Sequence, residues 1–232
     1  VTDDTTKPPR SLFDRIRDVA LRPFAAQTMK RTFTRKFEKH VSLQMDALSG
    51  PGSDLAQTRA IRERLPTLLL ELGVRTMLDV PCGDLFWMQT LDLDVDYVGA
   101  DIVGPLIERN TQRFANARRR FVQLDVQRDA LPKVDLVLCR DCLVHFPHRG
   151  VAAALANIKR SGSSYLLTTT FVDRTANDDI RVGRWRALNL ERAPFGLPPP
   201  LRMIDEKCPE FANRDKRLGL WRIDSIPNVV VD

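Results

Sequence analysis

Residues 75–84, Arg-Thr-Met-Leu-Asp-Val-Pro-Cys-Gly-Asp, constrain the chain more than any other stretch. The short apolar run Met77, Leu78 and Val80 has the character of a strand buried on both faces. It stops at an acid, Asp79, and a tight turn, Pro81-Cys82-Gly83. A second run, Tyr97-Val98-Gly99-Ala100, closes on Asp101, 22 residues after Asp79. A strand, a turn with Gly, a helix and a second strand ending in an acid describe a nucleotide-binding βαβ unit. The second acid is placed to accept both hydrogen bonds of a ribose diol.

A dinucleotide-binding G-x-G-x-x-G is absent, which counts against a dehydrogenase. The stretch instead resembles motif I of the class I S-adenosylmethionine (SAM)-dependent methyltransferases, an acid followed by Gly at alternate positions. Asp79 and Gly83 match the acid and the middle Gly, while Pro81 and Leu85 replace the first and third. The variant Asp-Val-Pro-Cys-Gly-Asp resembles a bacterial subgroup associated with polysaccharide and glycan modification. The next strand, Phe121-Val122-Gln123-Leu124, ends in Asp125, and in the resembled family an acid there reads adenine together with the following backbone N–H, here Val126. The resemblance therefore implies SAM as cofactor, held by Asp79, Pro81, Gly83, Asp84, Asp101, Ile102, Asp125, Val126 and Arg140. Asp84 is expected to start or cap a helix whose N-terminal N–H groups face the cofactor carboxylate.

Strands continue at Val134–Cys139 and Tyr165–Phe171, separated by an Ala-rich helix over 149–160. Earlier helices are expected from Ser53 or Asp54 to Leu72, over Phe86-Trp87-Met88, and from Gly104 to Ala117. Arg118-Arg119-Arg120 reads as a solvated loop. Leu201–Ile204 and Leu218–Ile223 read as a closing pair of strands. The pattern predicts an α/β fold, a Rossmann-like doubly wound sheet. It is mostly parallel, with an antiparallel C-terminal edge hairpin and added N-terminal helices. Residues 49–232 form the SAM-binding domain and 1–48 an N-terminal tail and basic helical segment.

In that segment Pro8-Pro9 suits a tail, Ser11 an N-cap, and Pro23 a break between two helices. Between Arg10 and Lys39 stand nine basic residues against three acids, a surplus equal to the net charge of +6 of the whole chain. Two readings stand: a helical lid with a solvated face, or docking on an anionic membrane surface. Ser49-Gly50-Pro51-Gly52-Ser53 marks a boundary, read either as a plain linker or as a flap over the cofactor.

Methyl transfer to an alcohol needs a base within hydrogen-bond reach of the nucleophile. Asp141 and His145 stand four apart, so a helical turn places them on one face, with Asp141 orienting His145 as that base. His148 is a weaker alternative. The loop over 172–200 emerges at the ligand-binding edge of the sheet and is long enough to be functional. Within it Asp178, Asp179, Trp185 and Arg186 are candidate substrate ligands, with Trp87 from the first βα turn. The loop resembles the same bacterial subgroup, which implies a sugar or glycan hydroxyl as acceptor. Cys139-x-x-Cys142 has no second pair, so it reads as core and no metal is expected.

Methylation of RNA, a small metabolite or a protein is the alternative enzyme reading. The Asn/Asp-Pro-Pro-aromatic signature of amino-directed nucleic-acid enzymes is missing, so no nucleic acid is expected. A non-catalytic SAM-binding scaffold is the third reading, opposed by the retained cofactor acids. No apolar run approaches a membrane span, and the expected location is cytoplasmic, with the periphery of the inner membrane as the alternative.

Overall fold

The computed structural model describes residues 12–208 and 210–231, with side chains from residue 27 onward apart from Phe211. The tail and the Ser11 cap lie outside the described residues. The strands are β1 (Thr76–Asp79), β2 (Asp96–Asp101), β3 (Arg119–Gln123), β4 (Leu136–Cys139), β5 (Tyr165–Phe171), β6 (Arg202–Asp205) and β7 (Lys216–Arg222). They make one sheet in the order β3-β2-β1-β4-β5-β7-β6. The first five neighbours run parallel, while β7 lies antiparallel between β5 and β6. The helices are α1 (Leu12–Ser42), α2 (Arg59–Glu71), α3 (Gly104–Phe114) and α4 (His148–Arg160).

Alternation along the central strands builds a core on each face, because successive side chains of a strand point to opposite sides. Leu78, Val137, Cys139 and Leu166 pack with Val151, Ala154, Leu155 and Ile158 of α4 and with Leu188, Leu190 and Phe195 of the long loop. Met77, Leu136, Leu138 and Leu167 pack instead with Ile61, Leu65, Leu68 and Leu69 of α2. Each fully buried aliphatic side chain contributes about 1.5–3 kcal/mol. Cys139 and Cys142 are buried in the first core. Two edges of the expectation move. Arg119 and Arg120 belong to β3, an edge strand whose charged side chains block further pairing. Pro23 lies inside α1, a continuous helix of 31 residues, rather than breaking it. Pro66 sits likewise within α2. A long helix held by neighbouring turns absorbs the single missing N–H bond. Among the described residues no helix is long and apolar enough to cross a membrane.

Candidate active site

Chain order reverses between β1 and β4, where open α/β sheets carry their ligand crevice. A cavity of about 630 Å3 occupies that place. Its floor is made by strand ends: Asp79 closing β1, Asp101 closing β2, Arg140 and Asp141 following β4, and Phe171 closing β5.

The two strand-end acids are both buried. Asp79 accepts the Tyr97 hydroxyl at 2.7 Å, yet burial pushes its carboxyl up to about 7. Asp101 accepts the N–H of Val103 at 3.0 Å and of Gly83 at 3.3 Å, and burial still lifts it to about 6. Burial also raises Asp125, which follows β3; its Oδ1 accepts the Gln127 N–H at 2.9 Å, while Oδ2 is buried with no partner among the described residues. Desolvated carboxylates aimed at one cavity favour a ligand carrying hydrogen-bond donors or positive charge.

The turn after β1 is tightly built, and the Val80–Pro81 peptide is cis. Gly83 has φ 55°, and a Cβ there would overlap the Ser49 hydroxyl. Leu85, at the third Gly position of the motif, also adopts φ 57° while remaining buried. Left-handed backbone costs an L-residue about 1–2 kcal/mol, which burial of the leucine side chain offsets. No helix starts at Asp84, as the next helical turn is the short 3-10 segment Met88–Thr90. Asp84 instead accepts the Leu48 N–H at 2.6 Å and the Ser49 hydroxyl at 2.9 Å, tying the end of the N-terminal segment to the turn.

Arg140 is buried. Its Nε and Nη2 donate to Glu206 Oε2 at 2.9 and 2.6 Å, and Nη1 donates to the Gly52 carbonyl at 2.9 Å. The guanidinium thus holds the Pro51–Ser53 turn against the cavity. Pro81, Ile102 and Val126 supply apolar wall.

The expected Asp141–His145 pairing is not formed. Asp141 takes φ 51° at the end of β4, its N–H donating to Thr169 Oγ1 at 2.8 Å. Its carboxylate accepts Lys216 Nζ at 2.6 Å and lies 3.2 Å from Arg140. Burial would raise its pKa, but the Arg140 and Lys216 charges outweigh that and hold it below the usual carboxylate value. His145 ends a 3-10 turn, Leu143–His145, so the four-residue spacing does not fall on an α-helical face. Its Nδ1 lies 2.9 Å from the Arg184 carbonyl oxygen, and burial lowers its pKa below 6.5. Both side chains nevertheless line the cavity.

The loop candidates divide. Trp185 lines the cavity, edge-on to Phe171 at 5.9 Å. Asp178 and Asp179 are exposed and do not line the cavity. Asp179 accepts the His148 N–H at 2.6 Å, capping the start of α4, which lacks a local cap. Arg186 is buried but donates to the carbonyls of Leu143, Val144, Phe146 and Asp178, so it ties the loop down rather than facing a ligand. Trp87 is buried in the second core with one side on the cavity. His148 packs edge-on against Phe195.

Three contributors escaped the sequence. Phe33, Lys36, Phe37 and His40 of α1 form a cavity wall at helical spacing. Lys216 of β7 completes the charged floor, and Glu206 after β6, buried outside the lining, pairs with Arg140 and Lys216. Among the described residues no group of His, Cys, Asp and Glu is arranged to hold a metal ion.

A protein-family model described as "Methyltransferase domain" matches residues 77–162, the span from β1 through α4 that carries the strand-end acids. An uncharacterized methyltransferase of Mycobacterium tuberculosis is 28% identical over 145 residues, covering 57% of this chain and 74% of the relative. This chain is a SAM-dependent methyltransferase. Solved structures agree on the fold alone. The N-methyltransferase NodS of Bradyrhizobium japonicum aligns at TM-score 0.60 and 16% identity over 82% of this chain and 98% of that one. The 1,6-didemethyltoxoflavin-N1-methyltransferase of Burkholderia thailandensis aligns at 0.56 and 16% over 96% and 97%.

The methyltransferase's residues fit its cofactor. The unpartnered Asp125 oxygen, the two desolvated strand-end carboxylates and the Cβ-free turn at Gly83 match the needs of a cationic nucleoside. These acceptors lie at the ends of the adjacent parallel strands β1, β2 and β3, beside the switch point where such sheets bind ligands.

Proposed function

We propose that this methyltransferase methylates a hydroxyl oxygen of a sugar or glycan, with His145 as the base. The observation that carries the reading is the His145–Arg184 contact. A carbonyl oxygen only accepts, so Nδ1 carries the ring proton and Nε2 keeps its lone pair. Burial keeps the imidazole neutral at physiological pH, the form a base needs.

In this reading Asp101 accepts the ribose hydroxyls, Asp79 lies toward the ammonium group, and Asp125 with Val126 reads adenine. Gly83 permits close backbone approach, while Pro81 and Ile102 flank it. When bound, SAM supplies an electrophilic methyl group on a positively charged sulfur. Trp185, Phe171 and Phe33 give the acceptor apolar faces on which a sugar ring can lie. His145 Nε2 would take the proton of the acceptor hydroxyl, and the Arg184 carbonyl holds the ring in the required tautomer. Asp141 neutralises Lys216 beside the reacting groups and does not relay the proton. Arg140 holds the flap turn through Gly52 and so excludes water.

A radiolabelled methyl-transfer screen over sugars, glycans, small alcohols, amines and RNA tests the proposal. Label on a sugar hydroxyl, lost in His145→Gln, supports it. Label confined to RNA or to amines rejects it.

A further inference from the structure

The cavity holds a cation whose charge no protein group answers. Lys36 Nζ donates to the Gly183 carbonyl at 3.0 Å and sits 4.9 Å from the Phe33 ring centroid. Neither partner is anionic, and among the described residues no carboxylate pairs with it. Of the other cavity cations, Lys39 is exposed to solvent, and the two buried ones are paired. Lys216 lies 2.6 Å from Asp141 and 3.5 Å from Glu206, and Arg140 is bonded to Glu206. Those two cations and two anions close on one another.

An ammonium has three donors, and Gly183 takes one. The side chain is half-buried, and that burial lowers its pKa. A counter-charge there interacts in a lower dielectric than at an open surface. The lysine is also tied to the base. The Gly183 N–H donates to the His145 carbonyl at 3.1 Å, and the Phe33 ring meets the His145 ring edge-on at 5.4 Å. Lys36, Phe33, His145 and Gly183 thus form one continuous wall.

We propose that the acceptor carries an anionic group, a carboxylate or a phosphate, beside the hydroxyl to be methylated, and that Lys36 recognises it. This deepens the hydroxyl-transfer reading and rests on it for the hydroxyl, but the anion site is tested without turnover.

The methyltransferase saturated with S-adenosylhomocysteine is titrated calorimetrically with glucuronate, glucose 6-phosphate and glucose. At least one anionic sugar binds tenfold or more tighter than glucose, and the pair distinguishes carboxylate from phosphate. In Lys36→Met that preference falls below twofold, with S-adenosylhomocysteine affinity and melting temperature unchanged, and Lys36→Arg retains it. Equal affinity for the three sugars overturns the proposal. So does absence of detectable binding of either anionic sugar at about 10 mM, or an undiminished preference in Lys36→Met. Anion-selective binding combined with no label on any hydroxyl acceptor upholds the Lys36 site and rejects the hydroxyl-transfer reading instead.

Discussion

Replacing Arg140 by Met removes the centre of a buried charge set. The Arg140 and Glu206 side chains are 5% and 1% exposed. The substitution deletes both guanidinium bonds to Glu206 Oε2 and the bond to the Gly52 carbonyl. Glu206 then faces only Lys216 at 3.5 Å, and its Oε1 already has no partner among the described residues. Breaking a buried pair from one side costs about 3–5 kcal/mol, mainly from the charge left behind. That is a large part of a domain stability of about 5–15 kcal/mol. Arg140→Met/Glu206→Met removes both charges while Lys216 keeps Asp141. The double variant is therefore expected to be more stable than Arg140→Met alone. Urea denaturation at constant m-value measures both. Loss of the Gly52 bond also frees the flap turn, so S-adenosylhomocysteine affinity falls in both variants. A loss under about 1 kcal/mol in Arg140→Met, or losses that simply add in the double variant, would refute the reasoning.

Further outcomes are equally specific. His145→Gln lowers kcat by about 10²–10⁴-fold and leaves S-adenosylhomocysteine affinity within about twofold. In the wild type, kcat holds down to about pH 6.5 and declines below it, since the neutral ring is the active form and burial lowers its pKa. A pH–rate profile with no acid limb would remove His145 from the reaction. Asp79, raised to about 7, binds the cationic cofactor only when ionised, so affinity weakens about tenfold from pH 8 to pH 6 in calorimetry. Asp79→Asn flattens that dependence. The folded carboxyl keeps a proton that the unfolded chain sheds, so its ionisation destabilises the unliganded fold as pH rises from about 4 to 7. Asp79→Asn therefore also raises the unliganded melting temperature at pH 8. Gly83→Ala places a Cβ onto the Ser49 hydroxyl at φ 55°, costs about 1–2 kcal/mol in backbone alone, and abolishes detectable cofactor binding.

What the sequence made legible was local. Asp79 and Asp101 each follow directly on their own buried run, so strand and site residue are read from the same few positions. Leu166 and Leu167 likewise lie side by side in one strand and serve the two cores through simple alternation. The partners that redirect the catalytic region are distant in the chain. Asp141 looked free to orient His145, because nothing near it announces Lys216, which reaches it only when β7 inserts beside β5. A single left-handed residue at Asp141 and a 3-10 turn also break the four-residue spacing. Asp179 resembled a ligand but caps a helix 31 residues before it, and Arg186 collects carbonyls of a turn 40–43 residues earlier. The basic surplus of α1 drew attention to its exposed side, whereas its contribution to the site is the stripe Phe33, Lys36, Phe37 and His40.

A crystal structure with S-adenosylhomocysteine tests the central claim most directly. The predicted result is ribose hydroxyls on Asp101, adenine beside Asp125 and Val126, and the sulfur facing His145. A nucleoside bound away from the ends of β1 and β2 would contradict the account.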